Sequence, residues 1–218
     1  LSDLHPHCLD GVMARAARLV GGLTVDLAVV TGDFQEQGRP SAHDTARDVL
    51  PLLNAYRASH GTFAILGNHD SHDMADALAA HGVAVLINEH AVIERDGERL
   101  VLVGTDDVVR FFTEAAVTAL THRPEGFSVA LVHSAELADV AAQAGIRLYL
   151  SGHTHGGQIC LPGGTPVVTA SDAPRCMAAG SWRVGAMHGH TSRGVGVGLP
   201  PLRYNCPGEI VRITLRRR

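Results

Sequence analysis

The residues best equipped for chemistry lie in the stretch Ser151-Gly152-His153-Thr154-His155-Gly156-Gly157. The branched apolar run Ile146 to Leu150 leads into it, so it reads as the loop at the end of a buried strand. Two imidazoles one residue apart can aim at neighbouring points, and the flanking glycines let the backbone turn sharply with something close by. Four more loops carry matching groups, each at what reads as a strand end: Asp3 with His5, then Asp33, then Asn68 with His69 and Asp70, then His133. Carboxylate, imidazole and amide oxygen together form a ligand set for Mn²⁺, Fe, Zn²⁺ or a similar ion. No thiolate accompanies them, which argues against a closed structural zinc site. Taken singly, each of these residues reads as a cap or turn. Taken jointly, they describe a metal site assembled from distant loops.

The elements that must position these loops follow from the hydrophobic pattern. Leu1 reads as the last residue of a strand that begins upstream. Val12, Ala16, Leu19 and Val20 share one face of a helix over 11–23. Leu27 to Val30 is an all-apolar strand, the signature of a sheet covered on both faces, and it ends in Thr31-Gly32-Asp33. A polar loop with Gly38 and Pro40 leads to a helix over 42–59, in which Pro51 should kink the helix or start a new segment. Phe63 to Leu66 is the next strand, ending in Gly67-Asn68-His69-Asp70, and Asp73 can cap a helix over 74–81. A strand at 83–87 precedes a hairpin turning on Asp96-Gly97, with arms at 91–94 and 100–103. Then come a helix at 113–120, a strand at 128–132 and a helix at 135–144. After the His-Thr-His loop, strands are expected at 159–161, 182–184, 186–190 and 209–215. Alternation in the first half and strands in the last quarter predict one α/β domain over 1–218. Its architecture would be a four-layer α/β/β/α sandwich, two mixed sheets flanked by helices, with the first strand truncated. In open α/β sheets the ligand sits beyond the carboxyl ends of the strands, where each polar loop falls.

The ordered series Ser2-Asp3-Leu4-His5, Gly32-Asp33, Gly67-Asn68-His69-Asp70, Val132-His133 and Gly152-His153-Thr154-His155-Gly156-Gly157-Gln158 resembles the calcineurin-like metallophosphoesterases over nearly the whole chain. The ending, from Ser192-Arg193-Gly194 through Leu199-Pro200 to Cys206-Pro207-Gly208-Glu209-Ile210, is similar to one bacterial branch. That branch holds YkuE-like phosphoesterases and the chlamydial-type UDP-2,3-diacylglucosamine pyrophosphatase. The resemblance implies two divalent ions, one held by Asp3, His5, Asp33 and His155, the other by Asp33, Asn68, His133 and His153. It implies hydrolysis of a phosphodiester, pyrophosphate or phosphomonoester by in-line attack of an activated water. His69 would face the leaving-group oxygen, and Asp70 would hold the His69 ring. Arg193 is a candidate phosphate clamp, with a structural ion pair as the alternative. The expected substrate is a phosphorylated small molecule, lipid-linked or nucleotide-linked. Two motifs depart from the pattern. Gly32-Asp33-Phe34-Gln35-Glu36 has no second Asp, and Val132-His133-Ser134-Ala135-Glu136 lacks the proline and acid often found after the histidine. Neither departure removes a ligand.

Composition narrows the alternatives. With 218 residues, 45% hydrophobic and 18% charged, the chain has ordinary globular composition and length enough for a core without disulfides. A net charge of −4 offers no general attraction to nucleic acid, which counts against a nuclease on this fold. A catalytically silent scaffold should have lost ligands, and none is missing. Arg212 and Arg216 to Arg218 read as a solvated basic tail. The four cysteines are scattered without a CxxC and read as free thiols, which favours a reducing compartment. No apolar run spans a bilayer. The expected location is cytoplasmic, or membrane-associated through an upstream signal or anchor. His7, His72, His188 and His190 read as surface residues, and Asp106-Asp107 as a turn. Gly194-Val195-Gly196-Val197-Gly198 is set aside as a dinucleotide loop because Pro200-Pro201, not a helix, follows it.

Overall fold

The computed structural model describes residues 1–36 and 41–217. The loop marked by Gly38 and Pro40 lies outside the described residues, as does Arg218. In chain order the elements are helix α1 (Val12–Val20), strands β1 (Thr24–Val25) and β2 (Ala28–Thr31), helix α2 (Ala42–Leu53), strands β3 (Arg57–Ala58) and β4 (Thr62–Ile65), and helix α3 (Asp73–Ala79). Strands β5 (Val83–Val85), β6 (Glu89–Arg95) and β7 (Glu98–Gly104) follow, then helix α4 (Glu114–Thr121), strand β8 (Phe127–Leu131), helix α5 (Ala138–Gln143), and strands β9 (Leu148–Ser151), β10 (Gly180–Val184) and β11 (Met187–Thr191).

The smaller of the two stacked sheets is parallel, in the order β2-β4-β5; the larger has the order β10-β11-β9-β8-β7-β6; β1 and β3 form a separate parallel pair. In the larger sheet β11, β9, β8 and β7 run parallel, with β10 and β6 antiparallel at the two edges. Leu1 continues the smaller sheet past β2. Its backbone nitrogen donates to Val29 O and its carbonyl accepts from Thr31 N, both at 3.0 Å.

The side-chain period of two divides each strand between two cores. Val30, Ala64 and Leu66 face α1, α2 and α3, packing with Ala16, Val20, Val49, Leu52, Met74 and Leu78. Val101, Val103, Ala130, Val132 and Tyr149 face α4 and α5, with Leu120 and Ala141. The residues between them point the other way. Val29, Phe63 and Ile65 of one sheet meet Leu100, Leu102, Val129, Leu131, Leu148 and Leu150 of the other. Three apolar interfaces separate four layers: helix, sheet, sheet, helix. Each large side chain so buried is worth about 1.5–3 kcal/mol against exposure.

Some elements end differently from the pattern. Helix α2 stops at Leu53 rather than 59. Pro51 removes one helical N–H near its end, and Arg57-Ala58 leaves to pair with Thr24-Val25. Helix α5 starts at Ala138 because 133–137 forms the loop that carries His133. Ile159 and Cys160 make only single bridges, to Tyr204 and Pro166. Among the described residues, 209–215 joins no sheet. Glu209 N donates to Gly194 O at 2.9 Å, and Ile210 packs on the first core. No described helix is long and apolar enough to cross a membrane.

Candidate metal centre

The chemically able loops leave the carboxyl ends of parallel strands: Asp33 after β2, Asn68 after β4, His133 after β8, and His153 with His155 after β9. Asp3 and His5 lie just beyond Leu1, their segment held by Asp3 N to Gly32 O at 3.0 Å and Leu4 N to Asp33 O at 2.8 Å. Asp3, His5, Asp33 and His155 place one ligand atom each within 4.8 Å of one another, and so do Asp33, His133 and His153. Asp33 belongs to both groups. Asn68 Oδ1 joins the second, 3.1 Å from His133 Nε2 and 2.8 Å from His153 Nδ1. Asn68 is half-buried and the other six are buried.

The hydrogen bonds decide which ring nitrogens face inward. His133 Nδ1 lies 2.7 Å from Thr31 O, His5 Nδ1 2.7 Å from Gln35 O, and His153 Nε2 2.6 Å from Ala170 O. A carbonyl only accepts, so these nitrogens donate, and the opposite nitrogen of each neutral ring offers a lone pair. Those lone pairs converge on other acceptors. Asp33 Oδ2 is 3.5 Å from His5 Nε2 and 3.2 Å from His133 Nε2. Among the described residues, buried His5 Nε2 and His155 Nδ1 have no hydrogen-bond partner. Acceptors turned toward one another repel unless protons or cations stand between them. This donor set therefore fits divalent cations.

The charges tell the same story. Burial pushes the Asp33 carboxyl up, but His133 and His5 outweigh it and hold it well below the usual range. Burial pushes His133 down, but Asp33 overcomes this and raises the ring to about 10. His5 is raised on the same balance. Below about 10, His133 therefore carries a proton that a bound cation must expel. Metal binding at pH 8 is expected to release at least one proton per chain. Affinity should then fall as pH drops, up to ~10-fold per unit for each proton released. Calorimetry in buffers of different ionisation enthalpy checks this; an apparent enthalpy independent of buffer would contradict it.

The backbone is bent to aim these groups. Asp3, His5, Asp33, His153 and His155 have φ of 49°, 37°, 56°, 71° and 51°. Such left-handed residues cost of order 1–3 kcal/mol each and persist only where surrounding structure enforces them. Close approach does the rest. A Cβ on Gly67 would strike Asp33 Oδ1, and one on Gly152 would strike Ser2 Oγ and Asp3 Oδ2. Gly67→Ala is expected to lose bound metal by elemental analysis while keeping its far-ultraviolet dichroism.

Asp70 corrects an expectation. It does not hold the His69 ring. Its carboxylate accepts from Asp33 N (2.9 Å), Phe34 N (2.8 Å), Gln35 N (2.8 Å) and Gly67 N (2.9 Å), so its acceptor capacity serves the backbone. Asp70 ties the β2 loop to the β4 loop. Its removal strands four amide donors at ~1–3 kcal/mol each where water cannot replace it. Asp70→Ala should lose more than ~3 kcal/mol in denaturant unfolding. His69 is held through its own backbone, N to Asp33 Oδ1 at 3.0 Å, with its ring edge-on to His5 at 5.1 Å between centroids. Its Nδ1 is buried with no hydrogen-bond partner among the described residues. Burial lowers its pKa against the pull of Asp33.

Arg193 takes the ion-pair alternative. Its Nη1 and backbone N both bind the Glu209 carboxylate at 2.9 Å. The residue missed in sequence is Arg203. Its guanidinium donates to the carbonyls of Arg193 (2.6 Å), Gly196 (3.0 Å), His155 (3.1 Å) and Cys206 (3.3 Å). Val195 N and Gly196 N in turn donate to Ser2 O (2.9 Å) and Asp3 O (2.7 Å). Arg203 thus clasps the loops of Asp3 and His155 together. No acid near it in sequence marks this role, because its partners are carbonyls. His7 pairs with Asp48 at 3.2 Å near the surface, and His190 lies between Ser181 and Glu209.

Residues 1–157 match the family model described as calcineurin-like phosphoesterase. The chain is 32% identical over 197 residues to the uncharacterized metallophosphoesterase YkuE of Bacillus subtilis (strain 168), covering 88% of this chain and 68% of that protein. It is 33% identical over 198 residues to phosphodiesterase YaeI of Escherichia coli (strain K12), covering 87% and 70%. Among solved structures it is similar to a 5'-nucleotidase precursor from Thermus thermophilus, with TM-score 0.49 and 17% identity, over 88% of this chain and 47% of that one. The chain spans less than half of that solved protein. With the family match running through all the loops that build the centre, the chain belongs to the calcineurin-like phosphoesterase family, hydrolases of phosphoester bonds.

Proposed function

We propose that this chain hydrolyses a phosphodiester or pyrophosphate bond in a lipid-linked or nucleotide-linked small molecule, at a centre for two divalent cations. The observation that carries the reading is Asp33, one carboxylate common to two groups of inward-facing donors. Asp3, His5, Asp33 and His155 would hold one cation; Asp33, Asn68, His133 and His153 would hold the other. When bound, the cations supply positive charge toward phosphate and lower the pKa of a water to about 7 in favourable sites. The chain sets how much charge survives. Asp3 and Asp33 are the only anions in the donor set, and Asn68 donates an oxygen without cancelling charge. Six of the seven donors are buried, and that low-dielectric setting would strengthen the attraction of bound cations for phosphate. His69 sits on Asp33 rather than among the donors. With its pKa lowered by burial, the neutral ring offers an N–H to the leaving-group oxygen.

The test is hydrolysis of bis(4-nitrophenyl) phosphate with Mn²⁺. The reading expects turnover that stops with chelator and returns with added Mn²⁺. Turnover indifferent to chelator would overturn it. A panel of lipid-linked and nucleotide-linked diesters and pyrophosphates then separates the substrate classes by kcat/KM.

A further inference from the structure

Cys160 and Cys206 lie far apart in sequence and meet directly behind His155. Both are buried, at 2% and 3% exposure. Both donate to one oxygen, Gly156 O, at 3.2 Å from Cys160 Sγ and 3.4 Å from Cys206 Sγ. Cys206 Sγ also reaches His155 O at 3.4 Å. The backbones that carry them are stitched together. Ile159 bridges Tyr204, Cys160 N donates to Tyr204 O at 2.9 Å, and Asn205 Nδ2 donates to Cys160 O at 3.2 Å. Asn205, at φ 52°, turns the chain between Tyr204 and Cys206. Two weak S–H donors sharing one carbonyl gain little from it. A disulfide between them needs no acceptor, and both sulfurs already lie within 3.4 Å of the same oxygen.

We propose that Cys160 and Cys206 are a disulfide site, oxidised by a small disulfide such as oxidised glutathione, and that the bond locks the His155 loop to the segment carrying Arg203. Cys206 follows exposed Leu199, Leu202 and Tyr204 in the chain. Deprotonated, it attacks one sulfur of the oxidant and releases one glutathione thiolate. Cys160 then attacks the Cys206 sulfur of the mixed disulfide and releases the second. Two electrons and two thiol protons leave the protein, and one oxidant disulfide becomes two thiols. Both thiols are buried, so exchange waits on opening of 199–206. The site stands on the thiol geometry and does not require the phosphoesterase reading.

The test uses the full chain with Cys8→Ser and Cys176→Ser, incubated or refolded with oxidised glutathione or with a phosphine reductant. The expected result is a linked peptide containing Cys160 and Cys206 by non-reducing mass spectrometry, two hydrogens lighter than the reduced pair. Thiols titrated in guanidinium should fall from two to none. The oxidised form should melt several °C higher than the reduced form and surrender metal to chelator more slowly. Adding Cys160→Ser should abolish these differences, and Cys206→Ser serves if that variant fails to fold. Two thiols still titratable after oxidative refolding, or glutathione adducts without the cross-link, would overturn the proposal.

Discussion

Asp33→Asn is expected to lose more than ~10³-fold in kcat/KM for a chromogenic phosphodiester, about 4 kcal/mol of transition-state stabilisation. The substitution is nearly isosteric. Asn Oδ1 can still accept from His69 N, as Asp33 does at 3.0 Å, and the backbone N–H of residue 33 still donates to Asp70. Fold and loop are therefore preserved, and what vanishes is a negative charge common to both donor groups. Loss of a group that merely orients a ligand costs about 10–100-fold in metal affinity, so loss of a charge shared by two sites should exceed that at both. The same variant should also let His133 return toward its ordinary pKa, since Asp33 is what raises it to about 10. Titration of the His133 ring by NMR checks this independently of turnover.

His69→Ala is expected to keep its metal and lose ~10²–10⁴-fold in kcat, with little change in KM. The ring is not a member of either donor group, and its contacts are a backbone hydrogen bond and an edge to His5. Truncation leaves the backbone bond to Asp33 in place. The loss should shrink as the leaving group improves, because a good leaving group needs no donor. A variant depleted of metal by elemental analysis would make His69 a ligand and defeat this assignment. A variant with equal losses for good and poor leaving groups would place His69 away from the leaving oxygen.

The convergence of Asp33, Asn68, His133, His153 and His155 is legible because each follows an apolar run, and runs of that kind become parallel strands whose ends meet; Asp3 and His5 have only Leu1 before them, and their motif alone marks them. The layering was legible for the same reason: Val29 and Val30, or Leu102 and Val103, must face opposite cores once the chain is extended. What escaped depends on partners that sequence does not display. Asp70 looks like a partner for the neighbouring imidazole, yet the amides of 33–35 reach its oxygens first because β2 and β4 are adjacent. Arg203 and the cysteine pair bind carbonyls, and no residue type announces where a carbonyl will point. Helix α2 shows a competition that local pattern cannot settle: 54–59 would suit a helix, but Arg57-Ala58 gains a strand partner in Thr24-Val25 instead. Segment 209–215 looks like a strand, yet Glu209 bonds Arg193 and Gly194 and the segment joins no sheet among the described residues. The left-handed backbone at five donors is likewise invisible beforehand, since Asp and His seldom adopt it unless the surrounding fold compels them.

The most direct measurement of the central claim is anomalous diffraction at the manganese edge from crystals grown with Mn²⁺. Two peaks are expected flanking the Asp33 carboxylate, one beside Asp3, His5 and His155, the other beside Asn68, His133 and His153. A single peak, or density that leaves Asp33 bound to one ion only, would contradict it.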